Sequence, residues 1–168
     1  NVQFRIDLTD VCLEACKKYL LYRERIQEIK DGKFNNEVIT TLKTTPYTDQ
    51  ISAIRFFLEK KRALNSSSVG IGKTITGLGT FNVLKNQGKI VNGIVFCLNE
   101  NKLNWKNEIT KHSNYSHKIV GNGTDSVLES IKNFKEDLLV VHYDSIINDL
   151  VKAAIISMGF DFMIVDEA

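Results

Sequence analysis

The sequence predicts an α/β domain, a parallel sheet flanked by helices and preceded by a helical segment. Three observations carry that prediction. Short apolar runs, GIVFCLN at 93–99, LLVVHY at 138–143 and FMIVDE at 162–167, recur between stretches of helical period, the pattern of strands covered on both faces and joined by crossover helices. A glycine-rich loop, SSSVGIGKT at 66–74, separates a strand-like segment, RALNSS, from a helix. At 168 residues the chain suffices for one domain that buries about two thirds of its unfolded surface, and not for two such domains.

The elements follow in order. Val11, Leu13, Ala15, Leu20, Leu21, Ile26 and Ile29 fall at mostly helical spacing after a cap at Thr9 or Asp10, which predicts a helix from 9 to about 30. NNEVITTLK reads as a second short helix, stopped before Pro46, the only proline. Ile51, Ile54, Phe57 and Leu58 mark one side of a helix over about 48–61, and a helix over about 73–86 follows the glycine loop. GIVFCLN then reads as a strand, 101–112 as a helix, HKIVGN as a strand and 125–134 as a helix. LLVVHY is a strand, 145–157 a helix and FMIVDE a strand.

Composition excludes several classes. With 43% hydrophobic and 25% charged residues the chain sits near the globular average, which argues against disorder or a fibre. No apolar run approaches the roughly 20 residues needed to cross a bilayer, so no membrane partner is expected. Cys12, Cys16 and Cys97 lack a second pair at metal-site spacing and read as reduced thiols of an intracellular protein, cytoplasmic or nuclear. Residues 85–118 hold six Lys against two Glu, and 119–168 hold three Lys against nine acids. Such a division suits a polyanion surface beside a metal-binding end.

The glycine loop is where chemistry becomes legible. Gly70 and Gly72 permit backbone conformations that turn successive N–H groups toward phosphate oxygens. Lys73 can reach the β and γ phosphates, and the Thr74 hydroxyl can ligate Mg²⁺. The same loop opens a helix, whose first turn favours an anion. Ser67 stands where the first glycine of G-x-x-x-x-G-K-[ST] belongs. The complementary element lies 93 residues beyond Lys73: Asp166 at a strand end would orient Mg²⁺, and Glu167 would polarise the attacking water.

With both motifs present the chain resembles the first RecA-like lobe of superfamily-two helicases, and within them the Swi/Snf-type double-stranded-DNA translocases. SSVGIGKT resembles that family's D-E-M-G-L-G-K-T, which also lacks the first glycine. TPYTDQISAIRFF resembles its P-Y-Q-x-x-G-V-x-F-L segment, although Gln50 stands two positions further from Pro46. GIVFCLNENKLNWKNEITK resembles V-V-C-P-x-x-L-x-x-N-W-x-x-E-I, matching at Asn104, Trp105, Glu108 and Ile109, with Leu98 in place of the proline. VVHYDSI resembles I-T-S-Y-E-x-L, and FDFMIVDEA resembles the strand ending D-E-A-H.

The resemblance covers about residues 44–168 and implies a RecA-like P-loop fold there, with residues 1–43 as a helical N-terminal extension. It implies ATP and Mg²⁺ as cofactors. Gln50, Val69, Gly70, Ile71, Gly72, Lys73 and Thr74 would bind the nucleotide, Gln50 reading adenine; Thr74 and Asp166 would hold the metal; Lys73, Asp166 and Glu167 would be catalytic. It implies nucleic acid, foremost double-stranded DNA, at Lys102, Asn104 and Lys106, with Lys111 and His112 behind them; the residues themselves read equally as a solvated lysine-rich helix with Trp105 and Ile109 in the core. The family's next residue after Ala168 is a histidine linked to a second RecA-like lobe that carries an arginine finger. The chain therefore reads as one lobe of a motor, able to bind nucleotide and slow to hydrolyse it alone. An RNA helicase, a restriction-type motor subunit and a non-hydrolysing scaffold lobe remain the alternatives.

Overall fold

The computed structural model describes residues 10–33, 41–60, 62–66, 68 and 70–166. Its helices are α1 (Asp10–Lys30), α2 (Thr48–Glu59), α3 (Lys73–Asn86), α4 (Lys102–His112), α5 (Thr124–Lys132) and α6 (Asp149–Met158). Its strands are β1 (Gly93–Cys97), β2 (His117–Ile119), β3 (Leu138–His142) and β4 (Phe162–Val165). Among the described residues four strands form one parallel sheet in the order β2-β3-β1-β4. Among the described residues no helix is long and apolar enough to cross a membrane.

Helices cover the two faces of the sheet. On one, Leu78 and Phe81 of α3 and Trp105 and Ile109 of α4 pack with Val95, Cys97, Leu138 and Val140. On the other, Val127 and Ile131 of α5 and Val151 and Ile155 of α6 pack with Ile94, Phe96, Leu139 and Val141. The central strands β1 and β3 are buried almost throughout, which is why they read as unbroken apolar runs. A third cluster, Leu42, Ile51, Ile54, Ile75 and Val83, joins α2 to α3. Gly79 makes that approach possible: a Cβ there would stand 2.4 Å from the Ile54 Cδ1 atom.

Two expectations need correction. β4 is not covered on both faces; it lies at the sheet edge and alternates, with Met163 58% and Val165 49% exposed while Phe162 and Ile164 pack inward. Residues 62–66, read as strand-like, form no strand. Leu64 there is 83% exposed, and without a neighbour to complete the ladder an extended segment gains no strand hydrogen bonds. The helix expected over NNEVITTLK lies mostly outside the described residues, and 41–44 form a turn. That turn binds two helices. Lys43 N–H donates to the His112 carbonyl (2.8 Å), Lys43 Nζ to the Thr110 carbonyl (2.9 Å), and Asn86 Nδ2 to Thr41 Oγ1 (2.8 Å).

The ends of the helices obey local chemistry. α6 starts at Asn148, whose Oδ1 accepts the N–H of Leu150 (3.0 Å) and Val151 (3.4 Å), and stops at Gly159 in the left-handed region, φ 66°. α3 starts at Gly72 with no side-chain cap and no acid in its first turn. α1 buries none of its residues; it meets α2 through Arg25 and Glu59 (3.6 Å) and through Lys60 Nζ, 4.5 Å from the Tyr22 ring centre.

Candidate functional site

The site is assembled at the carboxyl ends of the strands, where open parallel sheets bind their ligands. Helix α3 runs antiparallel to β4. Phe81 stacks edge-on against Phe162 with ring centres 5.6 Å apart, and one turn earlier Gly77 lies over Ile164, so close that a Cβ would come within 3.1 Å of Ile164 Cδ1. The turn before that holds Lys73 and Thr74, which therefore arrive at the end of β4 that carries Asp166. Residues 93 apart in sequence are thus brought to one edge. Asp166 continues the ladder, its N–H donating to the Phe96 carbonyl at 2.9 Å.

The loop itself has the backbone its glycines foreshadow. Gly70 and Gly72 have φ of 84° and 86°, a region that side chains with a Cβ disfavour. Gly72 adds a steric demand, since a Cβ there would stand 2.4 Å from Gln50 Nε2. Lys73 is exposed and Thr74 half-buried. First-turn N–H groups without a side-chain cap, no acid in that turn and an exposed lysine form a donor set that fits an anionic phosphate. The Thr74 hydroxyl and the Asp166 carboxylate are hard oxygen donors of the kind that Mg²⁺ takes, directly or through water. Val69 and Glu167 lie outside the described residues.

Gln50 occupies a position that sequence reasoning did not anticipate. It is buried, its Nε2 donates to the Ile71 carbonyl at 2.7 Å, and its Oε1 accepts the Tyr47 N–H at 3.0 Å. Instead of facing open solvent beside the loop, the amide ties the start of α2 to the loop backbone.

The proposed polyanion surface divides along α4. Lys102, Trp105, Ile109 and His112 form the buried stripe, while Asn104, Lys106 and Lys111 are exposed. Lys102 therefore faces inward. Its Nζ donates to the Val120 carbonyl (2.9 Å) and to Asn122 Oδ1 (3.0 Å), fastening α4 to the exit of β2. Burial lowers its pKa below the ordinary lysine value, opposed by the nearby Cys97 thiol. This arrangement leaves Lys102 no reach to a phosphate on the outer surface. His112 is likewise occupied, with Nε2 3.0 Å from Glu108 Oε2 and Nδ1 against the Thr44 hydroxyl. A 3-4-3 spacing of 102, 105, 109 and 112 was the sequence signal that places Lys102 on the inner face.

Trp105 makes the contact that sequence reasoning missed. It is 3% exposed, and its indole Nε1 donates to Asp166 Oδ2 at 2.8 Å.

A family model described as type III restriction enzyme, res subunit, matches residues 13–168. The chain belongs to that family. As a res-subunit family member it is a helicase-like N-terminal lobe of superfamily two, with an ATP-binding α/β fold. The match begins inside α1 and runs through Asp166. No curated protein matches the chain.

Proposed function

We propose that this lobe binds ATP and Mg²⁺ for a DNA-dependent ATPase that translocates on double-stranded DNA, working with a second RecA-like lobe. The observation that carries the reading is the convergence of an uncapped, glycine-opened α3 with the Asp166 end of β4. Family membership supports an ATP-dependent enzyme acting on nucleic acid. The motif resemblance to Swi/Snf-type translocases, together with the res-subunit family, favours duplex DNA over RNA.

In this reading the backbone N–H groups of 70–74 and the Lys73 ammonium cradle the β and γ phosphates. Thr74 and Asp166 hold the cation, which when bound neutralises charge between the phosphates. Glu167 orients the attacking water. Asn104 and Lys106, on the exposed side of α4, contact DNA phosphates without reading sequence. Gln50 serves the nucleotide by bracing the loop, and its second amide hydrogen is available to adenine.

The test is ATP turnover by the full-length protein with duplex DNA, single-stranded DNA and RNA. Duplex DNA should stimulate most, and Lys73→Ala should abolish turnover. Unchanged turnover in that variant would sink the assignment, and stimulation by RNA alone would move the substrate class. A non-hydrolysing scaffold lobe would bind nucleotide with no turnover under any of these conditions.

A further inference from the structure

We infer that Trp105 is a positioning residue for Asp166: its indole N–H sets the orientation of the carboxylate and with it the affinity for the divalent cation. The inference rests on the proposed function, which makes Asp166 the cation's carboxylate. The two residues are 61 positions apart, and Nε1 reaches Oδ2 at 2.8 Å. The ring is buried, 3% exposed, in the core cluster that also holds Val95, Cys97, Ile109 and Val140, with the half-buried Ile164 packed against that cluster. Its helix is fixed at both ends, by Lys102 on Val120 and Asn122 and by the Lys43 N–H on the His112 carbonyl. The donor is therefore rigid.

Asp166 needs such a donor. A carboxylate at the end of an edge strand can turn about two side-chain bonds, and the ladder bond to Phe96 holds its backbone and not its side chain. The indole N–H occupies one direction at Oδ2 and leaves Oδ1 for the cation or its water. An outer partner of this kind narrows the rotations that a ligand must give up on binding, and its loss commonly lowers metal affinity roughly ten-fold or more. Packing alone does not explain the residue. A phenylalanine would fill an apolar pocket, whereas a buried indole needs an acceptor, and here that acceptor is an anion.

Trp105 is the only tryptophan in the chain, so its emission reports this contact directly. The experiment titrates Mg²⁺ into the protein with ADP, reading tryptophan emission where Trp105 is kept, and in every variant measures ADP affinity calorimetrically without Mg²⁺ and across a series of Mg²⁺ concentrations. Wild type should show a Mg²⁺-dependent change in emission that Asp166→Asn removes. In Trp105→Phe, ADP affinity without Mg²⁺ should stay within about two-fold, while the Mg²⁺ concentration for half-saturation rises roughly ten-fold. A benzothienylalanine at 105 keeps the shape, removes only the N–H donor and decides the matter if the phenylalanine variant fails to fold. Wild-type Mg²⁺ dependence in that isostere overturns the inference and leaves nucleotide binding standing. Absence of Mg²⁺-ADP binding in wild type overturns both.

Discussion

Replacing Gly72 with alanine probes the junction between the phosphate loop and α2. At φ 86° an L-residue is strained by roughly 1–2 kcal/mol. Its Cβ would also stand 2.4 Å from Gln50 Nε2, so Gln50 must retreat from both its partners, Ile71 at 2.7 Å and Tyr47 at 3.0 Å. Two lost hydrogen bonds cost about 1–3 kcal/mol. The single variant should therefore lose about 2–5 kcal/mol of stability, and Gln50→Ala about 1–3 kcal/mol. In the double variant the hydrogen bonds are lost only once, so the sum of the singles should overshoot the double by about 1–3 kcal/mol. Urea denaturation of all four proteins measures this coupling. Additivity within about 0.5 kcal/mol would refute the claim that Gln50 braces the loop through Gly72.

Three further outcomes follow from the same geometry. Lys102→Met should cost about 1–3 kcal/mol by stranding the Val120 carbonyl. Because burial lowers the Lys102 pKa, the unfolded chain binds that proton more tightly, and this group makes stability rise as pH climbs toward the ordinary lysine range; denaturation across that range should show the rise in wild type and its loss in the variant. Asp137 is pulled up by burial, but Lys85 (2.5 Å) and the Ser116 hydroxyl and N–H (2.7 and 2.8 Å) outweigh it and hold the carboxyl low. Its contribution of about 1–2 kcal/mol is complete above the ordinary carboxylate range and fades as pH falls through the folded-state value, so Asp137→Asn should lower the neutral-pH midpoint and flatten the acid limb. Lys106→Ala should weaken DNA binding equally across sequences and reduce the salt slope by about one, whereas Lys102→Ala should leave the slope unchanged; filter binding at several salt concentrations separates the two.

Much of this was legible because strong local signals agreed. Continuous apolar runs located β1 and β3, since a central parallel strand is buried on both faces. Gly72 followed by Lys73 marked the start of α3, because a left-handed glycine ends the loop where the helix begins. What escaped was tertiary. Nothing within a short window distinguishes Lys102, drawn inward to Val120 and Asn122, from Lys106, left in solvent, except helical phase. The edge position of β4 depends on the order of strands, which no single run encodes. The partnership of Trp105 with Asp166, and of Gln50 with Ile71, joins segments 61 and 21 residues apart. Such contacts arise only once α4 is laid on the sheet and α2 against α3.

The convergence of the α3 start with the end of β4 is tested most directly by a crystal structure of the protein with Mg²⁺ and ADP. The β-phosphate should lie against the backbone N–H groups of 70–74 and the Lys73 ammonium, with the cation between Thr74 and Asp166 and the Trp105 bond intact. A nucleotide bound elsewhere, or a cation that engages neither Thr74 nor Asp166, would contradict it.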